Sequence, residues 1–279
     1  MAMLRSNANR AFLPEQVGRL IVQPVQAESV AFQTTSPVTI SGEQFRVPIV
    51  AEDPTAAWTA EGAEITPSDA TLDEEVVKPA KVAGLTIISR ELADDSSPAA
   101  AQIVGQGLAR DIAKQVDAAF FGNLAAPAPP GLGSLTTAPE VDAGAAWADA
   151  DPFAHAISLA EQEGATLTAF VANPTDALAL STLKEGTGSN KPLLGSDPTM
   201  PTRRTVQGVP LWVSPKVTAG TIWGYDRNFV MTVLREGTTL AVDSSAYFSS
   251  DRIGVRATMR VGFAFPHPAS VIKISLTAP

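Results

Sequence analysis

The apolar positions of this 279-residue chain change period several times, and each change marks an element. Val38-Thr39-Ile40 and Phe45-Arg46-Val47-Pro48-Ile49 alternate with period two, as half-buried strands do. Pro48 assigns the second run to an edge, because proline offers no amide to a ladder. Large apolar residues then nearly vanish: the run AEDPTAAWTAEGAEITPSDATLDEE from Ala51 holds one large aromatic, Trp58, and cannot build a core. Alternation returns from Val82 to Ile88. Phe45 to Ser97 therefore reads as an acidic two-stranded ribbon leading into a helix start. Such a ribbon is marginal alone in water, and its open edges and its tryptophan need a surface elsewhere.

The period switches to threes and fours at Ile103, Val104, Leu108, Ile112, Val116, Ala119 and Phe120, which predicts a helix with a broad buried stripe. Asp94-Asp95-Ser96-Ser97-Pro98 supplies its start, with acidic residues at the positive end of the dipole, Ser97 as cap and Pro98 in the first turn. Gly122-Asn123 ends it after Phe121. At about 1.5 Å per residue this rod is roughly 36 Å long, the longest element of the chain. An Ala-, Pro- and Gly-rich connection follows to Asp151. Helices are then predicted from Asp151-Pro152 to about Glu163 and from Asn173-Pro174 to about Glu185, around a buried strand from Thr166 to Ala172. After a polar loop from Gly186 to Thr205, strands are predicted over Val206–Val213, Thr221–Tyr225, Phe229–Leu234, Thr239–Val242, Arg252–Phe265 and Val271–Leu276. Residues 1 to about 36 show no sustained period and read as an extended arm.

Composition narrows the function classes. With 45% hydrophobic and 18% charged residues the chain has ample material for a core. A net charge of −9 disfavours tight, sequence-independent binding of nucleic acid, which needs a field of lysine and arginine. Arg203-Arg204 is the one adjacent basic pair, either a contact to an acidic partner or a solvated loop. The absence of cysteine excludes disulfides, thiolate nucleophiles and thiolate metal sites. The first 25 residues lack an uninterrupted apolar segment and no long apolar run follows, so neither a secretion signal nor a membrane span is predicted.

Candidate chemistry is sparse. His155 falls within a predicted helix without a partner four residues away, and His267 lies between Pro266 and Pro268, so both read as structural. Gly186-Thr187-Gly188-Ser189-Asn190-Lys191 lacks the glycine that precedes the lysine of a phosphate loop, and Pro192 replaces the hydroxyl residue. Gly131-Leu132-Gly133-Ser134 lacks the trailing glycine of a nucleophile elbow. Asp149 with Asp151, and Asp73-Glu74-Glu75, lack the glycine and terminal glutamate of a calcium loop; the second group reads as a solvated or inter-subunit charge run. No catalytic, cofactor-binding or metal-binding set is predicted, and the chain is expected not to be an enzyme.

The order of the parts is more telling. WTAEGAEITPSD in the ribbon, a capped helix after SRELADDSSP, a strand ending FVANPTD, then VQGVPLWVSPKVTAGTIWGYD and a β-rich end closing PHPASVIKI resemble the major capsid proteins of tailed bacteriophages, with the Hong Kong 97-type fold. The resemblance runs from about Phe45 to Ile274. It implies an α+β chain with an N-terminal arm over 1–44, an extended loop and its flanking strands over 45–96, and a spine helix of a peripheral domain over 97–131. An axial α/β domain over 132–224 and completion of the peripheral domain over 225–279 follow, with the Gly186–Thr205 loop as the axial tip. The extended loop, Ile49 to Ile88, would reach over a neighbouring subunit.

The function so implied is that of a self-assembling icosahedral shell around phage double-stranded DNA, present in the virion and assembled in the host cytoplasm. Partners would be further copies in hexamers and pentamers, a portal protein, and a separate scaffolding or decoration protein. DNA would be enclosed without sequence-specific binding, and no membrane is involved. Trp58, Glu61, Asp73, Glu74, Glu75, Arg203 and Arg204 are the candidate inter-subunit contacts. Some relatives join a loop lysine to an asparagine through an isopeptide bond with help from a glutamate. Residues 49 to 77 contain no lysine, and the other two positions fall on Asp251 and Thr258, so no cross-link is expected. Many relatives also carry a long helical scaffolding segment, for which too few residues precede the ribbon. An encapsulin-like compartment shell and, from another class, a soluble α/β enzyme or ligand-binding protein are the alternatives; encapsulins tend to begin with a helix, whereas this chain begins with a predicted arm.

Overall fold

The computed structural model describes residues 25–52, 54–62, 64, 67–69, 71–89, 99–186, 188–194, 204–243, 245 and 247–277. Its longest helix, Ala99–Phe121, ends where the glycine signal places it. Ala109, Ile112, Ala113, Val116, Ala119 and Phe120 on it are buried, while Leu108 is half-buried. The capping residues expected at Ser97 and Pro98, and the expected contacts of Ile103 and Val104, lie outside what is described. Two sheets pack around this helix.

The first sheet has the order β1 (Ser36–Ile40), β10 (Met231–Asp243), β11 (Arg252–Ala264), β4 (Ala80–Ser89). Its inner rows, among them Val255, Ala257, Met259 and Val261, bury against the long helix. β10 is one strand where two were predicted, with an irregularity between Arg235 and Thr239. The second sheet has the order β5 (Glu140–Asp142), β12 (Ile272–Ser275), β9 (Thr221–Tyr225), β6 (Ala169–Ala172), β8 (Val209–Val213), β7 (Arg204–Val206). Two further helices, Asp151–Gln162 and Pro174–Thr182, supply its core with Phe153, which meets Phe170 edge-on at 5.1 Å, and with Leu180. Tyr225 and Trp223 of β9 reach the core of the long helix, where Tyr225 stands edge-on to Phe120 at 6.0 Å, so the two sheets share packing.

Three expectations are corrected. The predicted strand Val206–Val213 is a hairpin of β7 and β8, because Gln207 and Gly208 turn the chain with φ of 50° and 81°. The ribbon's returning strand is Thr71–Val77 (β3), paired with Phe45–Glu52 (β2); Ala80–Ser89, expected to return the ribbon, instead pairs with β11. Residues up to 36, expected to be extended, include a helical turn over 25–28 and a short helix, Val30–Thr34, capped by Ser29. The last strand lies in the second sheet, so residues 225–277 contribute to both.

Candidate assembly surfaces

Val30–Thr34 owes its place to one carboxylate. Asp117, buried on the long helix, accepts from the Ser29 hydroxyl at 2.6 Å and from the amides of Ala31 and Val30 at 3.1 and 3.2 Å. The Ser214 hydroxyl lies at 3.5 Å. Burial pushes the Asp117 carboxyl above its ordinary pKa, although all four donors pull it down. Thr34 and the Tyr225 hydroxyl meet at 2.7 Å, and burial raises the Tyr225 pKa in turn.

Among the described residues, the ribbon is held at its stem. β2 and β3 pair Phe45 with Val77, Val47 with Glu75 and Ile49 with Asp73, which puts these six residues on one face. Val47 and Val77 bury against Val233 and Ala264 of the first sheet. The fit depends on Gly262 of β11, where a Cβ would stand 2.6 Å from Val77 Cγ1. Glu75 Oε2 accepts from the Phe265 amide at 2.9 Å; desolvation raises its pKa, against the lowering effect of that bond.

The candidate contacts therefore divide. Glu74 pairs with Arg46 of its own chain at 2.7 Å, and Glu75 is engaged at the stem. Asp73 is exposed, and its carboxylate accepts from the Glu74 amide at 2.7 Å. Trp58, 105% exposed, and Glu61 stand in solvent, as does every described residue from Pro54 to Asp69. Arg204 is exposed at the start of edge strand β7, while Arg203 lies outside the described residues.

Sequence reasoning missed a second surface. On the face of the first sheet turned away from the long helix, β11 presents Arg252, Arg256 and Arg260, all exposed. Lys81 and Arg235 flank Arg260 on neighbouring strands, and Leu85 and Ile87 of β4 are 59% and 43% exposed in the same face. The signal was present: arginines spaced by four in a period-two strand must share a side. Thr258 sits in the same face, and Asp251 in the turn before β11.

The residues that the sequence singles out for possible chemistry have ordinary structural surroundings. His155 is exposed on its helix, and the His267 ring faces Phe229 and contacts the Glu163 carbonyl at 3.2 Å. Lys191 of the loop that superficially resembles a phosphate site pairs with Glu185 at 2.6 Å. Ser134 donates to the Gly131 carbonyl, and Asp149 accepts from the Asp151 amide. Among the described residues, no cluster of three metal-ligating side chains occurs and no helix is long and apolar enough to cross a membrane.

No curated protein sequence matches the chain. Among solved structures, the capsid of an empty GTA particle is 19% identical, covering 88% of this chain and 89% of its own, with a TM-score of 0.74. A structure from Mycobacterium phage Bobi is 16% identical, covering 100% and 96%, with a TM-score of 0.74. A virus-like particle from Pyrococcus furiosus is 11% identical, covering 94% and 99%, with a TM-score of 0.65. These likenesses establish the Hong Kong 97-type capsid fold. The profile described as "Phage capsid family" matches residues 10–276, nearly the whole length, and the chain belongs to that family, as a structural protein of a virion shell.

Proposed function

We propose that this protein closes an icosahedral shell of hexamers and pentamers around double-stranded DNA, holding it together by packing and charge, without catalysis. The observation that carries this reading is the ribbon, anchored at Val47 and Val77 and bare at Trp58. An exposed tryptophan on a lysine-free acidic arm costs solubility in a monomer and gains contact area in an assembly. In this reading Trp58 packs on a neighbouring chain, with Glu61 and Asp73 beside it. Arg203 and Arg204 meet an acidic partner. Glu74 and Glu75 serve the ribbon itself.

The regions before Phe45, from 45 to 96, 97 to 131, 132 to 224 and 225 to 279 would act as arm, extended loop, spine, axial domain and peripheral completion. A portal and a separate scaffolding or decoration protein complete the particle, which assembles in the host cytoplasm. Absence of lysine from 49 to 77 supports a shell without isopeptide bonds. The family match favours this over a compartment shell of encapsulin type. Negative-stain microscopy of the expressed chain tests it: closed particles are expected, and a monomer or small oligomer would overturn it. Boiled particles should run as single chains on a denaturing gel; covalent ladders would refute the non-covalent shell.

A further inference from the structure

Resting on the shell reading, we infer that residues 29–35 are a strap that holds the two sheets in one relative setting, and that this setting fixes the curvature at which copies of the chain close. The backbone passes between the sheets after the long helix and again through residues 226–230 and 265–271, each time by way of a short 3-10 turn. Such turns connect the sheets and leave the angle between them to packing. Much of that packing is apolar, as where Phe120 meets Phe263 at 5.0 Å and Tyr225 at 6.0 Å. Apolar contact is non-directional, and packed layers held by it alone can slide.

The strap adds contacts that have a direction. Its Ser29 hydroxyl donates to Asp117 of the long helix at 2.6 Å, its Thr34 hydroxyl meets that of Tyr225 in the second sheet at 2.7 Å, and its Thr35 hydroxyl meets that of Thr232 in the first sheet at 2.6 Å. Proton counting orients the last two. Thr34 and Thr35 already donate to the carbonyls of Val30 and Ala31, each at 2.7 Å, so Tyr225 and Thr232 are the donors to them. Arg227 Nε, in the crossing from β9 to β10, donates to the Thr35 carbonyl at 3.0 Å. A hydroxyl pair of this kind is lost beyond about 3.5 Å, so a slip of about 1 Å between the sheets breaks the strap. With layers about 10 Å apart, that slip corresponds to a rotation of roughly 6°.

The concentration of these groups identifies their role. Ser29, Thr34, Thr35, Asp117, Ser214 and Thr232 are six of the nine buried polar or charged residues among the described residues, so most of the polar side chains of the interior gather at this one seam. Buried polar groups contribute little net stability compared with apolar groups of the same shape, and a satisfied network of them restricts a core to one arrangement. The strap therefore selects an angle more than it supplies adhesion. In an assembly of identical copies the same contacts repeat, and a rotation shared by every copy decides whether and at what radius the surface closes.

The test removes three hydroxyls and keeps the shapes. T35V/T232V/Y225F should fold by circular dichroism, and particles of wild-type diameter should fall at least fivefold as a share of all assemblies in electron microscopy, giving way to other diameters and open sheets. Uniform particles of wild-type diameter overturn the proposal. Ile274→Val, in the core of the second sheet and away from the strap, should leave the diameter unchanged; if it mixes diameters as much, lost stability rather than the strap is responsible, and the proposal falls. If the triple variant does not fold, Tyr225→Phe alone replaces it with the same outcomes. The strap itself is read in the unassembled subunit. The chain has no cysteine, so spin labels on Ala83→Cys in the first sheet and Ala154→Cys in the helix over the second, both exposed positions, report the setting alone. Their distance distribution should broaden at least twofold in the strap variant, and an unchanged width overturns the strap. Failure of the wild-type chain to form particles removes the shell reading and the curvature with it, while the label distances still decide the strap.

Discussion

Two peripheral segments of this chain, both of which read as appendages in need of a surface, meet opposite fates. The segment from Val25 to Thr35 is taken into the subunit: Val25, Ser29, Ala31 and Thr35 are fully buried, and Asp117 satisfies three donors at the start of the short helix. The ribbon, anchored by Val47, Val77 and Glu75, carries its tip into solvent. The difference lies in the ground each has available. The first segment brings Phe32 and Val25 to the apolar core of the long helix. The ribbon tip brings carboxylates and one indole, and every described residue of it stands in solvent. An appendage is absorbed where its polar groups find partners at home, and projects where they do not.

Removing the latch should produce the largest effect. Asp117→Ala leaves the Ser29 hydroxyl and two amides without their acceptor and is expected to cost about 3 kcal/mol of subunit stability, read by urea denaturation. Cleavage within 25–35 under limited proteolysis should rise in parallel. Unchanged stability would erase the contrast between the two segments. Gly262→Ala sharpens the ribbon side: the added methyl would stand 2.6 Å from Val77 Cγ1 and 3.3 Å from Pro79 Cα, so the stem must shift, at about 1–2 kcal/mol in the same assay.

Trp58→Ala should separate folding from assembly. With no buried contact to lose, its effect on subunit stability is expected to stay within about 0.5 kcal/mol. Particle yield should nevertheless fall at least about fivefold, as when an aromatic anchor leaves an interface. Loss of subunit stability would show the indole packed at home.

The smallest effect is a slope. A carboxyl whose folded pKa is raised, as burial raises that of Asp117, incurs its penalty only when ionised. Below the unfolded value both states hold the proton and the penalty is absent; it grows as pH rises from the ordinary 3.8 through the raised value and is complete above it. Denaturation measured across that window should show stability falling with pH in wild type relative to Asp117→Asn, whose side chain does not ionise. Parallel curves would mean that the four donors cancel the burial.

Legibility varied with the range of the interactions involved. The long helix was readable to its last residue because its stripe and its Gly122-Asn123 stop are local. The exposure of the ribbon tip was readable from a run too poor in large side chains to bury. The returning strand was misplaced because Leu72 and Val76 are submerged in the acids of LDEEVV, while AKVAGLTIIS alternates more clearly; yet that clearer strand pairs with β11, more than 160 residues along the chain. Val30–Thr34 carries little local signal, since five residues do not sustain a helix without the distant Asp117. The arginine row was countable at 252, 256 and 260, but only the sheet brings Lys81 and Arg235 to it.

By itself, then, the sequence determined the inventory: a long amphipathic rod, a lysine-free acidic ribbon with one tryptophan, and an order of parts that places the chain among phage capsid proteins. Periodicity, charge and turn chemistry act over a few residues, and they suffice for that. Tertiary structure alone decided which strand closes the ribbon, why Asp117 draws the N-terminal segment inward, that the last strand joins the second sheet, and that five cations share one face. Those outcomes depend on pairings between residues tens to hundreds of positions apart, chosen by the burial of whole surfaces rather than by any local preference.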